Sequence, residues 1–129
     1  GSPDMFRRVG LFTPDGRLDI RKTRVYGHII SQFNLDPDLP YGAWTLAQAL
    51  KRIKQVKEKL RARLDGFYYD GLSSGINYRP DHFKTAAGPC LWDPVHKKPF
   101  LNNFFSSCEF ARAAAELLRP QDRITMMNG

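Results

Sequence analysis

The period of the apolar positions changes several times along the chain, and each change predicts an element. Between Thr45 and Leu64 the apolar residues Leu46, Ala49, Leu50, Ile53, Val56, Leu60 and Leu64 recur every three or four positions, one stripe of an amphipathic helix. Thr45 with Gln48 has the spacing of a capping box, and Asp65-Gly66 supplies a stop, so the helix is expected over 45–64. A second helical stripe, Phe110, Ala114, Leu117 and Leu118, predicts a helix over 105–118. Ser106 with Glu109 suits its start, an earlier start at Asn103 is the alternative, and Pro120 closes it.

Shorter patterns predict strands. Val9, Leu11 and Leu18, Ile20 flank Thr13-Pro14-Asp15-Gly16, whose proline and glycine suit a tight turn, so a hairpin is expected near 6–20. Aromatic-rich runs on either side of Ser73-Ser74-Gly75 predict a second hairpin near 67–79. Residues 22–34 are ambiguous: Val25, Tyr26, Ile29, Ile30 and Phe33 fit a helical face, while the β-branched residues and Gly27 favour a strand. The helix is the first reading and the strand the alternative. Pro80, Pro89, Pro94 and Pro99 punctuate residues 80–103, where no period survives and a long irregular loop is expected. Arg123 to Met127 reads as a short closing strand. The fold class is therefore α+β, a small antiparallel sheet from the two hairpins packed by helices near 22–34, 45–64 and 105–118. Gly1 to Asp4 reads as an expression-tag remnant, and residues 5–129 as a single globular domain, either whole or excised from a larger protein.

Composition permits a packed core, with 42% hydrophobic and 12% aromatic residues. No apolar run is long enough for a membrane span. Two cysteines, Cys90 and Cys108, are too few for a disulfide scaffold and read as reduced thiols of an intracellular protein.

Charge changes the picture more. The formal charge is +7, and residues 46–64 hold seven basic residues against the single acid Glu58. That one segment carries nearly all of the excess. On a helical wheel its cations surround the apolar stripe, and Lys57 falls inside the stripe, where its aliphatic stem can run along apolar surface. An ordinary solvated face would mix signs in i,i+4 pairs. Lys51, Arg52, Lys54, Lys59, Arg61 and Arg63 are therefore the candidate contacts to a polyanion, in the first place the phosphates of a nucleic acid. A helix-turn-helix is disfavoured because the connection before the basic helix is too long for that motif.

Other candidate chemistry is weaker. His82, Cys90, His96 and Cys108 lack the tight paired spacing of structural zinc sites, so no metal is expected. No phosphate-binding glycine loop and no deaminase signature is present, and no cofactor is implied. Trp92 with Lys97 and Lys98 lies in an aromatic, proline-punctuated stretch suited to anchoring a partner. Three readings follow in order: a non-catalytic domain whose basic helix contacts nucleic acid, a protein interaction or assembly module using residues 80–105 or meeting an acidic partner, and an enzyme with a site in residues 80–96.

Overall fold

Val9, Leu11, Leu101, Phe110, Ala114 and Leu118 are almost wholly removed from solvent, and the elements that carry them define the centre of the fold. The computed structural model describes residues 3–22, 29–70, 75–84 and 88–128. In chain order these form α1 (Pro3–Val9), β1 (Ile20–Lys22), β2 (Ile29–Ser31), α2 (Pro40–Leu60), β3 (Gly66–Tyr69) and β4 (Ile76–Asn77). A 3₁₀ turn (Pro80–Lys84) follows, then β5 (Leu91–Asp93), β6 (Lys98–Asn102), α3 (Asn103–Leu118) and β7 (Ile124–Met127). Helices combine with small sheets: an antiparallel pair β1–β2, an antiparallel three-stranded sheet in the order β4–β6–β5, and a parallel pair β3–β7. This is an α+β fold.

The hairpin expected near 6–20 survives as its turn. Gly16 takes a positive φ of 81°, Thr13 and Arg17 pair through their backbones (2.8 Å), and Phe12 bridges Leu18. Upstream the chain is helical instead, with Asp4 and Arg8 paired one turn apart at 3.1 Å. Downstream, Ile20–Lys22 turns to a different neighbour, Ile29–Ser31, in the register Ile20 to Ser31. This ladder corrects the helix expected over 22–34 where the chain is described; residues 23–28 lie outside the described residues. The helical spacing misled because a step of four residues is also two strand periods.

Helix α2 begins five residues before the expected start. Pro40 occupies the first helical position, where its missing N–H costs nothing. Gly42 lies against the backbone of Leu35 and Asp36, so close that a Cβ there would collide with both carbonyl oxygens. Thr45 is not a cap; its hydroxyl donates to the Tyr41 carbonyl within the helix at 2.7 Å. The helix stops at Leu60, not Leu64, because Arg61 adopts the left-handed conformation (φ 50°) and takes the role expected of glycine.

The hairpin expected near 67–79 is replaced by two non-local pairings. β3 runs parallel to β7, with Tyr68 beside Met126, and β4 pairs antiparallel with β6, with Asn77 beside Leu101. Residues 71–74 between them lie outside the described residues. Tyr69 explains the choice in part: its ring meets Phe110 of α3 edge-on at 5.1 Å, so β3 is held beside the helix that leads into β7. The stretch 80–103 is also more regular than its sequence. Leu91 to Asp93 and Lys98 to Phe100 form a hairpin closed by Pro94-Val95-His96-Lys97. Pro99 is tolerated because β4 reaches only Leu101 and Asn102, so β6 has one neighbour at that point. β6 passes directly into α3, whose N-cap is Asn102, its Oδ1 accepting from the Phe104 N–H at 3.0 Å. The earlier start at Asn103 is the observed one, Ser106 and Ser107 are buried inside the helix, and the closing strand is present as β7.

A polar knot shares the core with the apolar residues. Asn34, Asn77, Arg79, His82 and Asn103 are all buried. His82 Nδ1 accepts from Asn77 Nδ2 (3.0 Å) and Asn34 Nδ2 (3.3 Å), and its Nε2–H donates to the Arg8 carbonyl (2.9 Å). Arg79 donates to the carbonyls of Arg7 and Gly10, lies over the Phe12 ring at 4.6 Å, and is paired with Asp81 at 2.8 Å. Two side chains from one short stretch thus satisfy the last carbonyls of α1, groups that a helix cannot pair internally.

Candidate nucleic-acid interface

The basic segment is divided by the structure into three parts. Lys51, Arg52, Lys54 and Lys59 are exposed on α2; Arg61 forms its left-handed cap; Arg63 lies in the extended segment before β3. Their environments differ. Lys54 and Glu58 stand 3.8 Å apart, both mostly in water, a pair worth little. Arg63 is fully engaged: it meets Asp65 at 3.1 Å and Asp122 at 3.0 Å, and donates to the Asp122 carbonyl at 2.6 Å. It fastens the entry of β3 to the turn before β7. Among the described residues, Lys51, Arg52, Lys57, Lys59 and Arg61 have no acidic partner. Lys57, expected along the stripe, is exposed as well.

The apolar stripe of α2 is only partly covered. Ala49 and Ile53 are buried, but Leu50 is 41% and Leu60 71% exposed. The expectation of a buried stripe therefore holds at Ala49 and Ile53 and fails at Leu50 and Leu60. Arg52, Gln55, Val56, Lys59 and Leu60 line a groove of about 330 Å³ on this flank.

Trp92, Lys97 and Lys98 fall on the β5–β6 hairpin. Trp92 lies opposite Pro99 and is 62% exposed; Lys97 takes a positive φ of 52° in the turn; Lys98 Nζ donates to the Pro14 carbonyl at 2.7 Å. Leu91, Val95, Phe104 and Phe105 are exposed too.

Of the candidate catalytic residues, only His96 meets a carboxylate in an exposed setting. Asp93 Oδ2 accepts from Tyr78 Oη at 2.6 Å and lies 2.5 Å from His96 Nδ1, while Oδ1 accepts from the Val95 N–H at 2.9 Å. The bonds from Tyr78 and His96 hold the Asp93 carboxyl well below the usual carboxylate range. Burial, with the bond to Asp93 behind it, pushes the Tyr78 phenol up to about 12. The arrangement braces the hairpin turn. His82 sits apart in the core, where burial lowers its pKa, and Cys90 and Cys108 are exposed free thiols. Among the described residues no three His, Cys, Asp or Glu side chains cluster as metal ligands would. No described helix is long and apolar enough to cross a membrane.

The Asp93 cluster was missed at the sequence level, although Asp-Pro followed by a histidine marks a side-chain-capped turn. The half-open stripe had no sequence signal, because exposure depends on what the rest of the chain leaves uncovered. The fold and this surface define a small α+β domain with a cation-rich, partly apolar helix on its exterior. No protein-family model, curated protein or solved structure matches the chain.

Proposed function

We propose that the protein is a non-catalytic binding domain and that α2 is its contact to nucleic acid. One observation carries the reading: five cations, Lys51, Arg52, Lys57, Lys59 and Arg61, stand on or at the end of one exposed helix without an acidic partner among the described residues. Like charges one turn apart repel by a few tenths of a kcal/mol per pair. A surface that keeps such repulsion is suited to a ligand that relieves it, and closely spaced phosphates do so with release of counterions. Arg63, already paired with Asp65 and Asp122, contributes least.

Titration of a labelled DNA or RNA pool by fluorescence anisotropy tests this. Five phosphate contacts imply a loss of affinity of about 10²-fold or more between 50 and 200 mM salt. Lys51→Glu with Lys59→Glu should abolish binding and leave the circular dichroism spectrum unchanged. Absence of binding at 50 mM salt ends the proposal.

A second reading is favoured by the exposed Leu91, Trp92, Val95, Phe104 and Phe105, an apolar surface on the hairpin and the first turn of α3. Such a surface suits a protein partner, with Trp92 as anchor and Lys97 and Lys98 beside it. A partner captured through it should survive the α2 charge reversals and be lost with Trp92→Ala.

A further inference from the structure

Resting on the nucleic-acid reading of α2, we infer that its ligand is single-stranded, with a base seated in the groove between Arg52 and Lys59. The groove combines three kinds of group. Arg52 and Lys59 are exposed cations seven residues apart, two turns along one flank of the helix. Val56 and Leu60 supply apolar surface between and beyond them, and Leu60 is 71% exposed. Gln55 adds a side-chain amide, which can donate and accept at a base edge. The volume, about 330 Å³, is at the small end of ligand-binding pockets.

A duplex presents phosphates to a basic helix and hides the faces of its bases in the stack. Exposed leucine beside the cations gains nothing from a phosphate backbone and would desolvate it. A single strand offers both chemistries at once: phosphates for Arg52 and Lys59, and an unstacked base whose face covers Val56 and Leu60. The positive charge selects a polyanion, and the apolar floor selects one with free base faces. Deoxyribose and ribose strands share that chemistry.

The test compares a fluorescein-labelled 20-nucleotide DNA strand, its RNA counterpart and the corresponding DNA duplex, each titrated with the whole chain at 50 and 200 mM salt. At least one single strand should bind ten-fold or more tightly than the duplex. Leu60→Ser, at a position already in water, should weaken single-strand binding several-fold while leaving its salt dependence and the duplex affinity unchanged. Gln55→Ala should do the same. Lys59→Glu should weaken both ligands and flatten the salt dependence. Duplex binding equal to or tighter than both single strands would overturn the inference and leave the nucleic-acid reading standing. So would a Leu60→Ser protein, folded by circular dichroism, with unchanged single-strand affinity. Failure of all three ligands to bind at 50 mM salt would remove both.

Discussion

Two residues illustrate how much rests on single backbone and side-chain placements. Arg61 ends α2 in the left-handed conformation, a state that costs a residue with a Cβ about 1 kcal/mol or more and glycine almost nothing. Arg61→Gly should therefore raise stability to chemical denaturation by about 1 kcal/mol. The same change removes an unpaired cation, so affinity for nucleic acid should fall as stability rises, and urea titration beside anisotropy reads both. His82 shows the opposite arrangement, a titratable group used as a neutral strut. Burial lowers its folded pKa below the ordinary 6.5, so at mildly acidic pH the unfolded chain takes up the proton more readily. Its stabilisation is complete above pH 6.5 and is lost as pH falls below that value. His82→Ala should cost about 3 kcal/mol at pH 7, because it strands the Arg8 carbonyl and the amides of Asn34 and Asn77. The variant should also show a shallower loss of stability between pH 6.5 and 5 in urea titrations.

At the scale of elements, the β5–β6 hairpin is held by a carboxylate and a phenol whose pKa values are pushed in opposite directions. Asp93 has a depressed folded pKa, so its contribution is present above the ordinary 3.8 and is lost as pH falls. Tyr78 has a folded pKa raised from 10.0 to about 12, so its contribution is present below pH 10 and disappears as pH rises through 12. Tyr78→Phe should lower the melting temperature at pH 7 and remove the alkaline loss above pH 10, followed by Trp92 fluorescence in a Trp44→Phe background. Sequence reasoning placed the two long helices, the turn at Gly16 and the last strand, because each is written in local periodicity and turn chemistry. It missed every strand partner that is distant in sequence. Tyr68 pairs with Met126 and Asn77 with Leu101, partners 58 and 24 residues away, and no local pattern encodes that choice. It also misplaced both ends of α2. Pro40, ahead of the expected start, serves as the first helical residue, and Gly66, the expected stop, opens β3.

For the whole molecule, the issue is what the uneven distribution of charge does for the fold. The cations of the candidate interface were legible in the sequence, since helical spacing alone places Lys51, Arg52 and Lys59 outside the buried stripe. Their lack of partners was not, because Arg63 finds Asp122 from 59 residues away while its neighbours find none among the described residues. A surface shaped for stability would intersperse signs; this one keeps repulsion that a substitution could relieve. Lys51→Glu with Lys59→Glu removes two units of charge at each position, taking the formal charge from +7 to +3. It places a carboxylate one turn before Lys54, a gain of a few tenths of a kcal/mol, and another in the last turn of α2, where the helix dipole favours a cation and the reversal costs a similar amount. Neither side chain is buried and neither has an acidic partner to lose among the described residues. The doubly reversed protein should therefore have a urea midpoint close to that of the parent, since the two small terms oppose each other. A loss of stability would mean that these lysines hold the fold through contacts the ion pairs do not account for. Unchanged stability together with lost binding would show that the charged face of α2 is dispensable for the fold and needed for the proposed ligand, while Ala49 and Ile53 on its other face are buried.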